Sequence, residues 1–289
     1  MNKCIKRIIG VAFFIVGLTS CDSDFNWVGN NKTYMYYADY AEYNYFSSDG
    51  DLVQTVVMDS EYRGNKIMSS IVTTKDIKSN TTSITNHTYE YDDLICKHLY
   101  NVDDYQFFWE ETIEYLDYSY RHIKHRTSKV SVIVDGNTSG TYSVTDNKYN
   151  GKCITQSKTQ NYTCYNEETT PEGYTITTYS TNGLHQTSTT KSFDAVDNLI
   201  STSSTEYTYL NDDYWDYTES IVKDSNGLES SRTVNVYNDS NRITEYRLYT
   251  NNKLVSQQNY EYDGDSCLIS GFSGDLTMVG TIRYIKIPN

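Results

Sequence analysis

The side chains able to ligate a metal, move a proton or form a bond are five histidines, two adjacent acid pairs and a few cysteines. His122 and His125 form the tightest imidazole pair, with Arg121, Lys124 and Arg126 around them. On a strand, residues three apart point to opposite faces, so joint ligation of a metal needs a turn. This basic stretch reads as an edge strand guarded by charge, with a local anion contact as the alternative. Glu110-Glu111 and Glu167-Glu168 also alternate faces on a strand, whereas glycoside hydrolysis needs two carboxylates facing each other across a bond. No G-x-S-x-G elbow, phosphate loop, dinucleotide fingerprint or D-x-D-x-D-G calcium loop occurs. Cys96, Cys153, Cys164 and Cys267 contain no C-x-x-C. Cys153 and Cys164 flank an expected turn and are the pair placed for a local disulfide; free buried thiols are the equal alternative. No catalytic residue, metal site or cofactor is expected, so the chain reads as no enzyme. Trp109 and Trp215 sit among acids near expected turns and are the candidates for stacking on a ligand. The competing reading of all the aromatic clusters is a cross-strand ladder that stabilises a sheet.

The elements that position these residues read as strands. Val130, Val132 and Val134 share one face, and Leu254, Ser256, Gln258, Tyr260 and Tyr262 share another, the alternation of half-buried strands. Only residues 105–116 could be helical, and their aromatics suit a strand too. Residues that tolerate positive φ recur at Asp49-Gly50, Gly64-Asn65, Asp92-Asp93, Asp135-Gly136, Asn150-Gly151, Asn182-Gly183, Asp197-Asn198, Asn226-Gly227, Ser240-Asn241, Asn251-Asn252 and Asp263-Gly264. From Gly183 onward the spacing matches one strand plus one turn, repeated. The expected fold is all-β: a repetitive antiparallel meander forming an elongated twisted sheet or an incomplete barrel. Thirty tyrosines supply the large strand-forming rings that the modest aliphatic content does not.

At the N-terminus, Lys3, Lys6 and Arg7 precede an apolar run from Ile8 to Leu18 that ends at Leu18-Thr19-Ser20-Cys21. Eleven helical residues rise only about 16 Å, too little to span an apolar core of about 30 Å, and the order of charge then apolar run is that of an export signal. Leu-Thr-Ser-Cys resembles the lipobox of bacterial lipoproteins, which implies cleavage before Cys21 and a lipid on its thiol. Asp22 and Asp24 resemble the surface-export signal of Bacteroidota lipoproteins; in other didermic bacteria an Asp in this place resembles an inner-membrane retention signal. Residues 1–20 are thus expected to be a signal peptide, 21–32 an anchor and tether, and 33–289 one β domain. Loss of residues 1–20 leaves 21 basic against 38 acidic side chains, a net charge of about −17 that repels nucleic acid.

Segments 193–201, 237–244 and 262–270 each place an aromatic, a polar turn, then an aliphatic residue, with Tyr249–Val255 a shorter copy and Tyr91-Asp92-Asp93 a fainter one. They resemble YD repeats of the Rhs type, which implies long twisted sheets of hairpins. Several turns lack the usual glycine, and the chain is far too short for the closed shells of large relatives. The functional expectation is a lipid-anchored, non-catalytic binding or structural module of the outer membrane, facing a glycan or an envelope protein. The alternatives are a glycan-binding surface lipoprotein and a hydrolase whose site is not visible in sequence.

Overall fold

The computed structural model describes residues 34–288, apart from residues 65, 103–106, 118–121, 135–136, 152, 167 and 212–215. Cys21, Asp22, Asp24 and Trp215 lie outside the described residues. Every regular element among the described residues is a strand: β1 (Tyr34–Phe46), β2 (Leu52–Arg63), β3 (Lys66–Asp76), β4 (Thr81–Asp92), β5 (Ile95–Val102), β6 (Phe107–Tyr115), β7 (Ile123–Val134), β8 (Asn137–Asn150), β9 (Cys153–Tyr165), β10 (Glu168–Asn182), β11 (His185–Asp194), β12 (Leu199–Tyr209), β13 (Tyr217–Lys223), β14 (Glu229–Tyr237), β15 (Ile243–Thr250), β16 (Lys253–Asp263), β17 (Ser266–Ser273) and β18 (Leu276–Pro288).

Each strand pairs antiparallel with its neighbours in sequence, and β18 returns to pair with β1 from Tyr34↔Pro288 to Phe46↔Thr277. This ladder overturns the expected open sheet or incomplete barrel: the sheet is a closed 18-stranded barrel. The local repeat pattern says that hairpins follow one another, but not where the first and last strands meet. Closure removes both unpaired edges, which an open sheet of this length would have to protect. The seam is tightly packed. Ala41 faces Ile282, and Gly280 faces Tyr43, where an added Cβ would meet the Glu42 carbonyl oxygen at 2.5 Å.

The inner face is set by alternation. On β18, Met278, Ile282 and Tyr284 are buried while Thr277, Val279, Thr281 and Arg283 are exposed. An apolar core fills only one arc of the barrel, joining Ala41, Tyr45, Val56 and Val72 to Tyr260, Ile269, Met278 and Ile282 across the seam. From β8 to β14 the inward wall is instead mostly Ser, Thr, Asn, Gln and Tyr, with Thr145 bonded to Thr159 and Thr177 to Thr190. Charged side chains on those strands, such as Lys158, Lys191, Glu206 and Glu219, alternate to the outside.

One rim carries an unexpected regularity. Each even-numbered strand carries an inward tyrosine at or near its end: Tyr62, Tyr91, Tyr115, Tyr149, Tyr179, Tyr209, Tyr237, Tyr262 and Tyr284. Four of these hydroxyls donate to a carbonyl near the start of the preceding strand: Tyr62 to Ala38, Tyr149 to Ile123, Tyr237 to Tyr217 and Tyr262 to Ile243. The ring turns to the inner face while the hydroxyl bonds a backbone carbonyl at the rim, and the Ile123 and Tyr217 carbonyls accept from Asn147 and Asn235 as well. The ladder slips register at several of these positions, including Tyr62, Tyr115, Tyr149, Tyr209 and Tyr237, which turns the ring inward beside the turn.

Candidate functional site

The strongest chemical grouping lies on the inner wall of β4 to β7. His87 and His98 come from one hairpin, folded at Asp93, whose positive φ of 55° an aspartate tolerates better than most residues. Counting outward from Asp92↔Ile95 puts His98 opposite Tyr89 and leaves His87 diagonal to it on the same face. His87 Nδ1 lies 3.0 Å from His98 Nε2, and His98 Nδ1 lies 3.3 Å from Glu111 Oε2. Arg126 donates to Glu111 Oε1 through Nε at 3.0 Å and through Nη2 as well. The rings are stacked: His98 on Tyr89 at 4.3 Å and His87 on Tyr100 at 4.9 Å.

Glu111 anchors the proton arrangement. Burial alone would push the Glu111 carboxyl up, but bonding from His98 and the charge and bonds of Arg126 outweigh it and hold it below its ordinary value. An ionised Glu111 accepts, so His98 Nδ1 carries a proton, and in the tautomer that leaves His98 Nε2 bare that nitrogen accepts from His87. His87 then donates from Nδ1, which leaves its Nε2 as a lone pair. Burial, with His98 beside it, lowers the His87 imidazole to about 3, so it is neutral at physiological pH. His87 Nε2 is buried and has no hydrogen-bond partner among the described residues. The arrangement can hold one proton acceptor rigidly toward the lumen. No nucleophile is bonded to that nitrogen among the described residues, whereas a hydrolytic triad places one there.

The expected sites fare differently. Glu110 and Glu111 do alternate faces, one exposed and one buried. The basic patch around His122 and His125 is dissolved: His122 lies 3.1 Å from Asp117, Lys124 2.6 Å from Glu114 and His125 2.7 Å from Asp146, while Arg126 turns inward. No edge is there to guard, since β7 pairs on both sides. Cys153 and Cys164 do not flank a turn. They stand near opposite ends of β9, roughly 35 Å apart at about 3.3 Å per residue, far beyond disulfide reach, and both thiols are free. Trp109 faces the lumen rather than the outer surface, half-buried, with Nε1 donating to Ser128 Oγ at 2.7 Å and its ring 5.4 Å from Tyr100, edge-on.

No protein-family model matches the chain, and no curated protein matches its sequence. Among solved structures, it is similar to a porin-like protein from Bacteroides uniformis, with 10% identity over 86% of this chain and 97% of that one and a TM-score of 0.45. A mutant of the Rh. blastica porin aligns over 88% of this chain and 99% of its own at 7% identity, with a TM-score of 0.28.

Proposed function

We propose that this chain is a lipid-anchored protein of the outer membrane whose closed barrel is a non-catalytic binding module standing in water rather than within the bilayer. The observation that carries this reading is the distribution of charge across the wall. A membrane-spanning barrel turns an apolar band outward and polar residues inward. Here Lys97 faces outward from β5, Glu110 from the middle of β6, Lys191 from β11, Glu219 from β13, and Arg247 from β15. Each Lys or Arg at a bilayer midplane costs roughly 2–4 kcal/mol, so this outer face belongs in water. Attachment then falls to Cys21, with Asp22 and Asp24 as the export signal. β1 begins at the tyrosine-filled rim.

Fractionation tests the reading. The native chain is expected in the membrane fraction, carrying labelled fatty acid. A Cys21→Ala chain exported behind an ordinary cleavable signal is expected in the soluble fraction, with its β-sheet circular dichroism intact. A folded Cys21→Ala barrel that stays in carbonate-washed membranes would mean that the barrel itself spans the bilayer.

A further inference from the structure

We propose that the inner wall where β4 meets β5 is a recognition site for a small neutral saccharide, with His87 Nε2 accepting a ligand hydroxyl and Trp109 offering a ring face. This rests on the reading of the barrel as a binding module, and it gives that module a ligand class. Five buried polar atoms here have no partner among the described residues: Thr74 Oγ1, Ser83 Oγ, Thr85 Oγ1, His87 Nε2 and the Tyr100 hydroxyl. Thr85 is 0% exposed, His87 2% and Tyr100 3%. The five are neighbours. Ser83, Thr85 and His87 alternate inward along β4, roughly 7 Å apart, with Thr74 opposite Ser83 and Tyr100 opposite His87. Folded proteins pair nearly all such groups, so an unpaired column of this kind calls for a guest.

The chemistry selects the guest. The hydroxyls both donate and accept, while His87 Nε2 only accepts, so the complement must bring O–H groups that do both. The one buried charge nearby, Glu111, is already satisfied by His98 and Arg126, and an ionic ligand would enter without a counter-charge. No cluster of three or more metal-ligating side chains occurs among the described residues. Trp109 and Phe107 meet Tyr100 edge-on at 5.4 and 5.7 Å, placing aromatic faces beside the column. A hydroxylated ring with an apolar face fits this set. Trp109 is the half-buried member of the set.

The test uses the lipid-free full mature chain, read by tryptophan fluorescence and by thermal shift. The probes are glucose, galactose, mannose, N-acetylglucosamine and their disaccharides, set against glucuronate, glucosamine and glycerol. At least one neutral sugar is expected to raise Tm and change the fluorescence, and Trp109→Phe is expected to abolish most of the optical change. Thr85→Val, close in shape, is expected to weaken binding about tenfold while leaving the sugar-free Tm unchanged or higher. No neutral sugar raising Tm would overturn the proposal and assign the column to internal water alone. So would a response to charged sugars only, or undiminished binding by Thr85→Val. None of these outcomes touches the fractionation result, which stands or falls separately.

Discussion

The buried imidazole pair makes the barrel acid-sensitive, and the sign follows from His87. Burial first, and then the neighbouring His98, hold the folded His87 at about 3, whereas an unfolded histidine titrates near 6.5. Between those values the unfolded chain binds a proton that the folded one refuses. Stability is therefore full above about pH 6.5 and falls as pH drops toward 3, by up to about 1.4 kcal/mol per pH unit. Glu111, lowered mainly by His98 and Arg126 against the opposing effect of burial, loses its contribution in the same direction as acid protonates it. Urea midpoints measured from pH 7.5 to 4 are expected to fall steeply for the native chain and less steeply for His87→Gln. Equal slopes would assign the acid sensitivity to another group. Tyrosine hydroxyls offer a second comparison at this scale. Tyr237→Phe removes a bond to the Tyr217 carbonyl and is expected to cost about 1 kcal/mol. Tyr100→Phe removes a buried hydroxyl with no partner among the described residues and is expected to be neutral or stabilising. Denaturant titration of the two variants side by side gives the difference directly.

At the scale of the hairpin, three turns are built alike. Asp194, Asp224 and Asn238 each accept, through Oδ1, the backbone N–H groups two and four residues on, and Asp197, Gly227 and Asn241 supply the positive φ. The side chain imitates a backbone turn, so no glycine is required where Asp or Asn tolerates the left-handed region. Positive-φ residues were legible at Asp93, Asp197, Asn241 and both of Asn251-Asn252, because few residue types reach that region. The 193–201 and 237–244 segments do share one turn. The segment at 224–228 belongs with them, although Lys223 replaces the aromatic that marks the others. Tyr262-Asp263-Gly264-Asp265 does not, since Asp263 pairs directly with Ser266 around a two-residue loop. The His87–His98 contact was hidden because it depends on register. Only once Asp93 is fixed as the corner does counting place the two rings on one face. The role of the tyrosines was hidden for a similar reason: their recurrence on alternate strands means little until a rim exists. Asn251-Asn252 gives a direct test of turn chemistry. Both residues have positive φ, the geometry that prefers Asn-Gly, so Asn252→Gly is expected to add roughly 0.5 kcal/mol in a denaturant melt.

Closure governs the whole molecule, and it is the property that local sequence carries least. β1 and β18 are separated by nearly the entire chain, yet they form a long ladder and contribute much of the apolar core. Small residues make that contact close: Ala41 is fully buried against Ile282, and Gly280 leaves room for the Glu42 carbonyl and the Tyr43 ring. An open sheet and a closed barrel share every hairpin and differ only in this ladder, so the seam is where the architecture is tested. Glu42 and Thr281 face each other across it and point outward. With Glu42→Cys and Thr281→Cys introduced together, mild oxidation is expected to join the ends of the chain, read as faster migration on a non-reducing gel. The single variants, which contain the same native cysteines, are expected not to shift. Adding Gly280→Val forces a branched side chain into the Glu42 carbonyl, where even one Cβ has only 2.5 Å. That triple variant is expected to cross-link poorly and to melt earlier, because separation at the seam exposes two strand edges as well as the core behind them. Efficient cross-linking with an unchanged melt in the Gly280→Val background would show that the seam is looser than this register allows.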